Sequence, residues 1–336
     1  MKIYFIIGNS RSGTTMLSNI LGQNPYVLVF KELHFFDVLS TSDIIYYTRD
    51  EAITIYAKLL CTNELEPWNL HKYTLYIEHA RSEYKISANI TNYNLFATFV
   101  SNQLIKANKT IAVEQTPRNS YHFEKILRNL HGSKVIHIVR DPRGVLLSQK
   151  NKWKRNKFGG NMTPKEKIRT FLNYNPILTS YIYDRTLNRI FKNAITEPNL
   201  FFTIKFENIL SAPQETLPQL FEFVELQYNT NFVNVKHSSS SFVSNNEQGI
   251  DIKRATSWKE NISRNEIFIV QLITKRIMNR YNYPRHSVSI INPFVFLYYF
   301  ITLLIQSVFV IAFNYNFVRK FLENRFFTVL TYFTNK

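Results

Sequence analysis

Cysteine is nearly absent from this 336-residue sequence, in which Cys61 is the single example. One cysteine cannot form an internal disulfide, and it cannot supply a metal site built from several cysteine ligands. No base stands near Cys61 in the sequence, so it is interpreted as an ordinary buried thiol. No metal is predicted for this protein.

Acidic residues are also scarce. The sequence has 24 Asp and Glu against 41 Lys and Arg, which gives a formal net charge of +17 at pH 7. This excess of positive charge points to anionic partners: nucleotides, acidic glycans, nucleic acid or anionic lipid. Nucleic acid is the weakest candidate, because the sequence contains no compact basic run and no known nucleic-acid-binding module. Charge alone does not choose among the others.

Glycine is sparse as well, with eight residues, and two of them bound a short turn near the start of the chain. Lys2–Ile7 is β-branched and aromatic without polar alternation, which predicts a buried strand. The turn Gly8–Gly13 follows, and Met16–Leu21 has helical spacing. A strand, a turn and a helix N-terminus in this order form an anion site, because unpaired N–H groups and the helix dipole point into the turn.

The spacing from Gly8 to Gly13 is that of a P-loop, but the lysine that normally follows the second glycine is missing. Thr14 occupies that position, and the nearest cation is Arg11, inside the turn. A P-loop lysine binds the outer phosphates of a nucleoside triphosphate. A turn without this lysine is therefore expected to bind a different anion.

Apolar, β-branched segments recur along the chain between stretches of helical spacing. The predicted strands are residues 2–7, 27–30, 110–113, 134–139 and 200–206. This alternation predicts an α/β fold, a three-layer sandwich with helices on both faces of a central parallel sheet. Ligands of such sheets bind beyond the carboxyl ends of the strands. Four polar residues are predicted to lie there: Arg11, Glu32, Gln115 and Arg140.

Helical spacing and proline positions indicate the remaining elements. The predicted helices span residues 43–60, 120–130, 142–150, 213–223 and 264–281, with one more long helix that ends near residue 192. Residues 61–87 are mixed in character and stay unassigned. A basic, polar segment over residues 152–167 is interpreted as an exposed loop or lid, and the serine-rich residues 238–241 are interpreted as a loop.

The C-terminal part differs in composition from the rest. No charged residue occurs from Ile290 to Val318, and Pro293–Phe313 provides 21 mostly apolar positions. A run of this length favours a membrane-spanning helix over a buried core helix, and a hairpin within one leaflet is the further alternative. The apolar and basic residues behind it suggest an amphipathic helix in the membrane interface. We therefore expect a catalytic domain over residues 1–284 and a membrane-associated helical tail over residues 285–336.

Several motifs together resemble sulfotransferases that use 3′-phosphoadenosine 5′-phosphosulfate (PAPS). Arg11, Ser12, Gly13, Thr14 and Thr15 are similar to the loop that binds the 5′-phosphosulfate in this family. The resemblance implies a P-loop-like fold, related to that of nucleoside triphosphate hydrolases, and PAPS as co-substrate without a metal.

The second half of the donor site is also present. Arg140, followed eight positions later by Ser148, resembles the family's site for the 3′-phosphate. Lys253 and Arg254, near Trp258, are further candidates for binding this phosphate.

Two other elements are similar to heparan-sulfate-type carbohydrate sulfotransferases. Lys31–Asp37 matches their Lys-Glu-x-His-Phe-Phe-Asp element, and Glu114–Pro117 matches their Glu-Lys-Thr/Ser-Pro element with Gln115 in place of the lysine. The resemblance covers roughly residues 3 to 283 and ends at the apolar tail. The missing lysine removes a cation that would bind an acidic sugar, which counts against a uronic-acid acceptor.

Sulfuryl transfer needs a bound donor, stabilisation of the charge on the departing 5′-phosphate, and removal of a proton from the acceptor. Arg11 is the candidate for stabilising that charge, and Glu32 is the candidate general base. His34 is expected to orient Glu32 or to share the proton. Asp37 is a candidate for orienting His34 or the acceptor, and Lys31 is a supporting candidate.

The predicted function is sulfuryl transfer from PAPS to a hydroxyl or amine of a glycan, a glycolipid or another lipid-linked acceptor. The alternatives are a P-loop kinase or NTPase and a non-catalytic, PAP-binding membrane protein. For Arg140, a structural ion pair with Asp141 or Asp37 is the alternative to phosphate binding. Because the first residues already form a core strand and cysteine is nearly absent, we expect no secretory signal and a cytoplasmic catalytic domain at a membrane.

Overall fold

A five-stranded parallel sheet forms the centre of the protein. The structure is a computed structural model that describes residues 2–65, 67–85, 90–154, 167–168, 171, 174–234, 251–288 and 292–313. The strands are β1 (Lys2–Ile7), β2 (Val27–Val29), β3 (Tyr46–Tyr47), β4 (Ile90–Thr91), β5 (Ile111–Glu114), β6 (Ser133–Val139) and β7 (Phe201–Lys205).

The strand order in the large sheet is β2-β5-β1-β6-β7, and β3 and β4 form a separate antiparallel pair. The long strand β1 is central, with Phe5 paired to Glu114 on one side and to Val135 on the other. All five predicted strands are confirmed, and their ends agree within one or two residues. Because the sheet is parallel, the carboxyl ends of these strands meet at one edge.

Helices and short 3₁₀ segments connect the strands. The helices are α1 (Thr14–Leu21), α2 (Arg49–Leu65), α3 (Ile77–Glu83), α4 (Asn92–Ala107), α5 (Phe123–Asn129), α6 (Pro142–Lys150), α7 (Pro176–Thr196), α8 (Phe206–Ser211), α9 (Pro213–Phe223), α10 (Lys253–Thr256), α11 (Trp258–Asn261), α12 (Arg264–Ile273), α13 (Lys275–Arg280) and α14 (Pro293–Phe313). The unassigned region after α2 contains a 3₁₀ segment, Pro67–Tyr76, followed by α3.

Alternate residues of β1 enter different hydrophobic cores. Ile3 and Phe5 pack in a core that includes residues of α2 and α4, whereas Tyr4 and Ile6 pack in a second core with residues of α1 and α9. Side chains of a strand alternate between the two faces of a sheet, so helices cover both faces. The predicted three-layer arrangement is confirmed.

The helix predicted over residues 43–60 is displaced along the chain. Residues 46–47 form the short strand β3, so the helix begins only at Arg49 and continues to Leu65.

Two further helical regions differ from the sequence prediction. Helix α4 was not predicted, although Thr91 caps it by accepting a hydrogen bond from the Asn94 N–H at 3.2 Å. Its apolar face, with Leu95, Phe96 and Phe99 buried, is interrupted in sequence by asparagines that weaken the helical pattern. The helix predicted over residues 264–281 is divided in two at Thr274, whose hydroxyl donates to the Val270 carbonyl.

The C-terminal expectation needs a correction. In the part of the chain that the structure describes, no helix is both long enough and apolar enough to cross a membrane. Helix α14 packs against α7, where the Asn175 amide donates to the Tyr299 carbonyl at 2.9 Å and the Gln306 amide donates to the Tyr174 carbonyl at 3.1 Å. The predicted transmembrane helix is therefore not supported. The predicted interface helix after residue 313, most of the predicted lid and the serine-rich loop lie outside the described residues.

Candidate functional site

The turn after β1 has the geometry of an anion-binding loop. Gly8 is required for close approach, because a Cβ atom there would lie 2.5 Å from the Ile138 carbonyl oxygen. Gly13 has φ 103°, and a Cβ atom on it would lie 2.5 Å from the Phe206 ring. Helix α1 begins at Thr14, and its first helical hydrogen bond runs from the Leu17 N–H to the Gly13 carbonyl. The N–H groups of residues 14–16 are therefore not used by the helix and lie beside the loop.

Arg11 joins this loop to helix α6. Its backbone has the left-handed conformation, with φ 76°. Its Nε donates a hydrogen bond to the Ser148 hydroxyl at 2.9 Å. The structure thus brings together the two candidate residues Arg11 and Ser148, which lie 137 positions apart in the sequence.

Arg140 lies at the end of β6 and is partly buried against the same loop. Its guanidinium donates to the Arg11 carbonyl at 3.0 Å and to the Arg254 carbonyl at 3.2 Å. It stacks on the Phe206 ring, with 4.2 Å between the guanidinium carbon and the ring centroid. Gly144 leaves room for it, because a Cβ atom there would lie 3.1 Å from the Arg140 Nε. Burial lowers the pKa of Arg140 from its ordinary value.

The ion pairs suggested as an alternative role for Arg140 are formed by other arginines. Asp141 pairs with Arg143 at 2.6 Å and also caps helix α6. Asp37 pairs with Arg118 at 3.0 Å. The hydrogen bonds of Arg140 within the described residues go to carbonyl groups, while Glu207 and Asp141 act on its charge at longer range and not as ion-pair partners.

Three buried polar atoms near the loop have no hydrogen-bond partner within the described residues. They are Ser12 Oγ, Arg140 Nε and Arg254 Nη2. Buried polar atoms normally have partners, so these positions fit a site that is completed by a bound anion. Arg254 otherwise pairs with Asp251 at 3.3 Å, and the side chain of the neighbouring Lys253 is exposed.

A carboxylate–histidine–carboxylate row lies after β2. His34 Nε2 is 3.3 Å from a Glu32 carboxylate oxygen, and His34 Nδ1 is 3.3 Å from Asp37 Oδ2. Burial by itself lowers the pKa of His34, but the hydrogen bonds with Asp37 and Glu32 outweigh it and raise the pKa to about 9. The imidazole is therefore protonated at neutral pH, with a carboxylate on each side. Glu32 is 39% exposed, so an incoming group can reach it.

Two further predicted residues lie nearby. Lys31 donates from Nζ to the Glu64 carbonyl at 2.7 Å. Gln115 is buried at the end of β5, and the oxygen of its side-chain amide has no hydrogen-bond partner in the described part of the chain. The only cysteine, Cys61, is buried, and its thiol donates to the Asn69 carbonyl at 3.5 Å, as expected for a structural thiol.

The sequence matches a known family profile over most of its folded part. The profile of the family described as "Sulfotransferase family" matches residues 4–230. The chain belongs to this sulfotransferase family. Sulfotransferases of this type have a P-loop-like fold and use PAPS, so the kinase or NTPase alternative is set aside.

Solved sulfotransferase structures have the same fold. The sulfotransferase domain from the curacin biosynthetic pathway is 17% identical, with a TM-score of 0.56 over 85% of this chain and 99% of that domain. The sulfotransferase domain of the Synechococcus PCC 7002 olefin synthase is 15% identical, with a TM-score of 0.55 over 84% of this chain and 95% of that domain. No curated protein sequence matches this chain. The similarity to heparan-sulfate-type enzymes stays a prediction.

Sequence reasoning missed several contacts of this candidate site. Phe206, on which Arg140 stacks, and Arg118, which pairs with Asp37, carry no local sequence signal for these roles. Glu114 was noted only as part of a motif, although its buried carboxylate contacts the loop of the candidate base. Its position at the end of a strand was the one signal that could have identified it.

Proposed function

We propose that this sulfotransferase transfers the sulfuryl group of PAPS to a hydroxyl or amine of a glycan, a glycolipid or another lipid-linked acceptor. The observation that carries the proposal is the arrangement at one sheet edge. A glycine-bounded loop with Arg11 follows β1, and the Glu32–His34–Asp37 row follows β2. One side of this edge suits an anionic donor, and the other suits removal of a proton.

Residues of the loop and of helix α6 would bind the donor. The N–H groups of Thr14 and Thr15 and the hydroxyls of Ser12, Thr14 and Thr15 suit the 5′-phosphosulfate, because they lie at a helix N-terminus. The Ser12 N–H itself donates to the Asn9 carbonyl at 3.1 Å. Arg140 and Ser148 suit the 3′-phosphate, and the unpartnered Nη2 of Arg254 supports a further contact there. Gly13 keeps the backbone close enough for these contacts.

Charge and proton movements then follow from the side chains. A bond forms between sulfur and the acceptor oxygen or nitrogen, and the bond from sulfur to the 5′-phosphate oxygen breaks. The electron pair stays on that phosphate, where the fixed charge of Arg11 stabilises it. Glu32 takes the acceptor proton. His34, charged and held by Asp37, fixes the orientation of Glu32.

A lipid-linked acceptor is supported by the surface of α14. Large apolar side chains are exposed along this helix: Phe294, Phe296, Leu297, Tyr298, Phe300, Ile301, Leu304 and Ile305. Hydrogen bonds from Asn175 and Gln306 fix the helix on the folded domain. We propose that this face lies on an anionic membrane surface, to which the net charge of +17 also attracts the protein.

We place the catalytic domain on the cytoplasmic side of that membrane. Disulfides are rare in a reducing compartment, and this chain has one buried cysteine. Flotation with vesicles of phosphatidylglycerol and phosphatidylcholine tests the attachment. Leu297→Asp with Ile301→Asp is expected to abolish flotation while PAP affinity is unchanged. Flotation equal to that of the wild type would contradict the membrane proposal and leave the donor site untouched.

Transfer itself is tested with isotopically labelled PAPS. Cells that produce the wild type are expected to incorporate the labelled sulfate into a lipid extract. Glu32→Gln should retain PAP affinity and lose incorporation, because the donor site stays intact while the base is removed. Glu222→Gln, an exposed glutamate in α9, is the matched control and should match the wild type. Turnover that survives Glu32→Gln would remove Glu32 as the base.

A further inference from the structure

Glu114 has an unusual environment for a carboxylate. It ends strand β5 and is buried, with 2% of its surface exposed. Its neighbours all donate to it: the Thr116 N–H at 3.1 Å, the Leu33 N–H at 3.3 Å, the Thr116 hydroxyl and the Asn119 amide. No ion pair to Glu114 is found within the described residues. The carboxylate is therefore held mainly by hydrogen bonds, and the charge of His34 adds an electrostatic attraction without an ion-pair contact.

These hydrogen bonds reach the loop of the candidate base. The Leu33 N–H donates to Glu114 directly, and the His34 N–H donates to the Thr116 hydroxyl at 3.2 Å. The Thr116 hydroxyl in turn donates to Glu114. Two consecutive N–H groups, next to Glu32 in sequence, thus depend on one buried carboxylate.

The loop needs such support because its backbone is strained. His34 has φ 50°, a left-handed conformation that costs free energy in a residue with a Cβ atom. Its ring must nevertheless contact Glu32 on one side and Asp37 on the other. A conformation of this kind persists only where the surrounding contacts hold it.

The carboxylate is costly to keep in this place. Burial raises the pKa of Glu114 to about 7, although hydrogen bonds from Thr116 and Leu33 oppose this shift. A neutral or apolar residue would avoid the desolvation of a charge. No neutral side chain, however, offers two oxygens that accept from four donors at once.

We propose that Glu114 is a positioning residue for sulfuryl transfer, which fixes the backbone at Leu33 and His34 and thereby the orientation of Glu32. The inference rests on the proposed role of Glu32. Glu114 is too deeply buried to contact an acceptor, so it acts through the loop. The ring of His34 depends on the same contacts.

Glu114→Gln tests the proposal, because the amide has one acceptor oxygen and presents an NH₂ group to groups that already donate. Amide hydrogen exchange in a peptide covering residues 31–37 is expected to accelerate at least tenfold, with exchange in β1 unchanged. The pKa of His34, followed by NMR, should fall from about 9 towards its ordinary value. PAP affinity should stay within twofold of the wild type, and kcat should fall more than KM changes.

The matched control is Glu266→Gln. Glu266 is a buried carboxylate that accepts from Ser263, Tyr174 and Lys150, away from this loop. The Glu266→Gln variant should show the same amide hydrogen exchange at residues 31–37 and the same His34 titration as the wild type. If Glu114→Gln does not fold, Thr116→Val removes the hydroxyl that links Glu114 to the His34 N–H, and the same two changes are expected in weaker form.

Wild-type exchange and wild-type His34 titration in the Glu114 and Thr116 variants would overturn the inference. These two readouts need neither donor nor acceptor. Failure of Glu114 as a positioning residue is therefore distinguishable from failure of the proposed function, which would appear as absent PAP binding or absent turnover in the wild-type protein.

Discussion

The Arg11 guanidinium donates from Nε to the Ser148 hydroxyl at 2.9 Å, which connects the anion-binding loop to the last turn of helix α6. Arg140 contacts the same residue from another direction, through the Arg11 carbonyl at 3.0 Å. Arg11, Arg140 and Ser148 are all candidate donor-binding residues, and they therefore meet at one place in the folded protein. This meeting point joins the part of the site assigned to the 5′-phosphosulfate with the part assigned to the 3′-phosphate.

Replacement of Arg11 is expected to weaken donor binding. Arg11→Ala removes a charge-assisted hydrogen bond, which typically contributes about 1.5–3 kcal/mol, so PAP affinity should fall roughly 10- to 100-fold. Arg11→Lys keeps the charge and should retain most of the affinity. Isothermal titration calorimetry measures both. Arg276→Ala, which removes an exposed arginine of α13, is the control for net charge. Equal affinity in Arg11→Ala and the control would exclude Arg11 from the donor site.

A substitution at Gly13 should damage both the loop and the fold. Gly13→Ala places a Cβ atom at φ 103° and 2.5 Å from the Phe206 ring, which also supports Arg140. We expect a loss of several kcal/mol in the free energy of unfolding and loss of PAP binding. Gly132→Ala is the matched control, because Gly132 has φ 80° but lies exposed in a turn. It should cost about 1 kcal/mol and leave PAP binding unchanged. If denaturant unfolding shows that Gly13→Ala and Gly132→Ala lower the free energy of unfolding equally, this explanation is contradicted.

The charge on His34 should make the stability depend on pH. Its pKa is raised to about 9 by Asp37 and Glu32, against the lowering effect of burial. The native state therefore holds the proton more tightly than the unfolded chain does. The resulting stabilisation, about 3 kcal/mol, is fully present below pH 6.5 and is lost as the pH rises through about 9.

His34→Asn removes this contribution. Denaturant unfolding of the wild type and the variant is expected to show a difference that is largest below pH 6.5 and shrinks towards pH 9. His131→Asn, at an exposed histidine, is the matched control for the loss of a histidine side chain. If the difference in the free energy of unfolding between the wild type and His34→Asn is constant from pH 6 to pH 9, Glu32 and Asp37 do not hold His34 in its charged form.

A second histidine should limit stability in acid. His137 is fully buried in β6, and neither ring nitrogen has a hydrogen-bond partner in the described part of the chain. Burial lowers its pKa to about 3, so the native state cannot take up the proton that the unfolded chain binds below pH 6.5. The protein is expected to lose about 3 kcal/mol of stability on this account by pH 4. His137→Phe keeps an aromatic ring beside Tyr281 and should flatten the acid limb of a stability–pH curve. Parallel acid limbs for the two proteins would exclude this role of His137.

The sheet was predictable because each strand is a short apolar run whose ends carry proline, glycine or charged residues. Helices α6 and α9 were predicted with their observed bounds, since a proline begins each of them and fixes the first turn. The position of Arg11, Glu32 and Arg140 at one sheet edge followed from the parallel topology. These features depend on residues that are close in sequence.

The contacts within the site could not be predicted in the same way. The hydrogen bond from Arg11 to Ser148, the stacking of Arg140 on Phe206 and the dependence of Leu33 on Glu114 all join distant segments. Such contacts are set by tertiary packing, for which a single sequence carries no periodic signal. For the apolar run at Pro293–Phe313, hydropathy alone predicted a membrane span. The helix instead forms hydrogen bonds with the folded domain through the Tyr299 carbonyl and the Gln306 side-chain amide.

Calorimetric titration of the wild-type protein with PAP, with and without magnesium, tests the central claim most directly. That claim is that the loop of residues 11–15 binds the nucleotide of a sulfuryl donor. We predict one PAP per chain, with micromolar or tighter affinity that magnesium does not change, and much weaker binding of ATP. Absence of PAP binding, or tight binding of ATP only in the presence of magnesium, would contradict it.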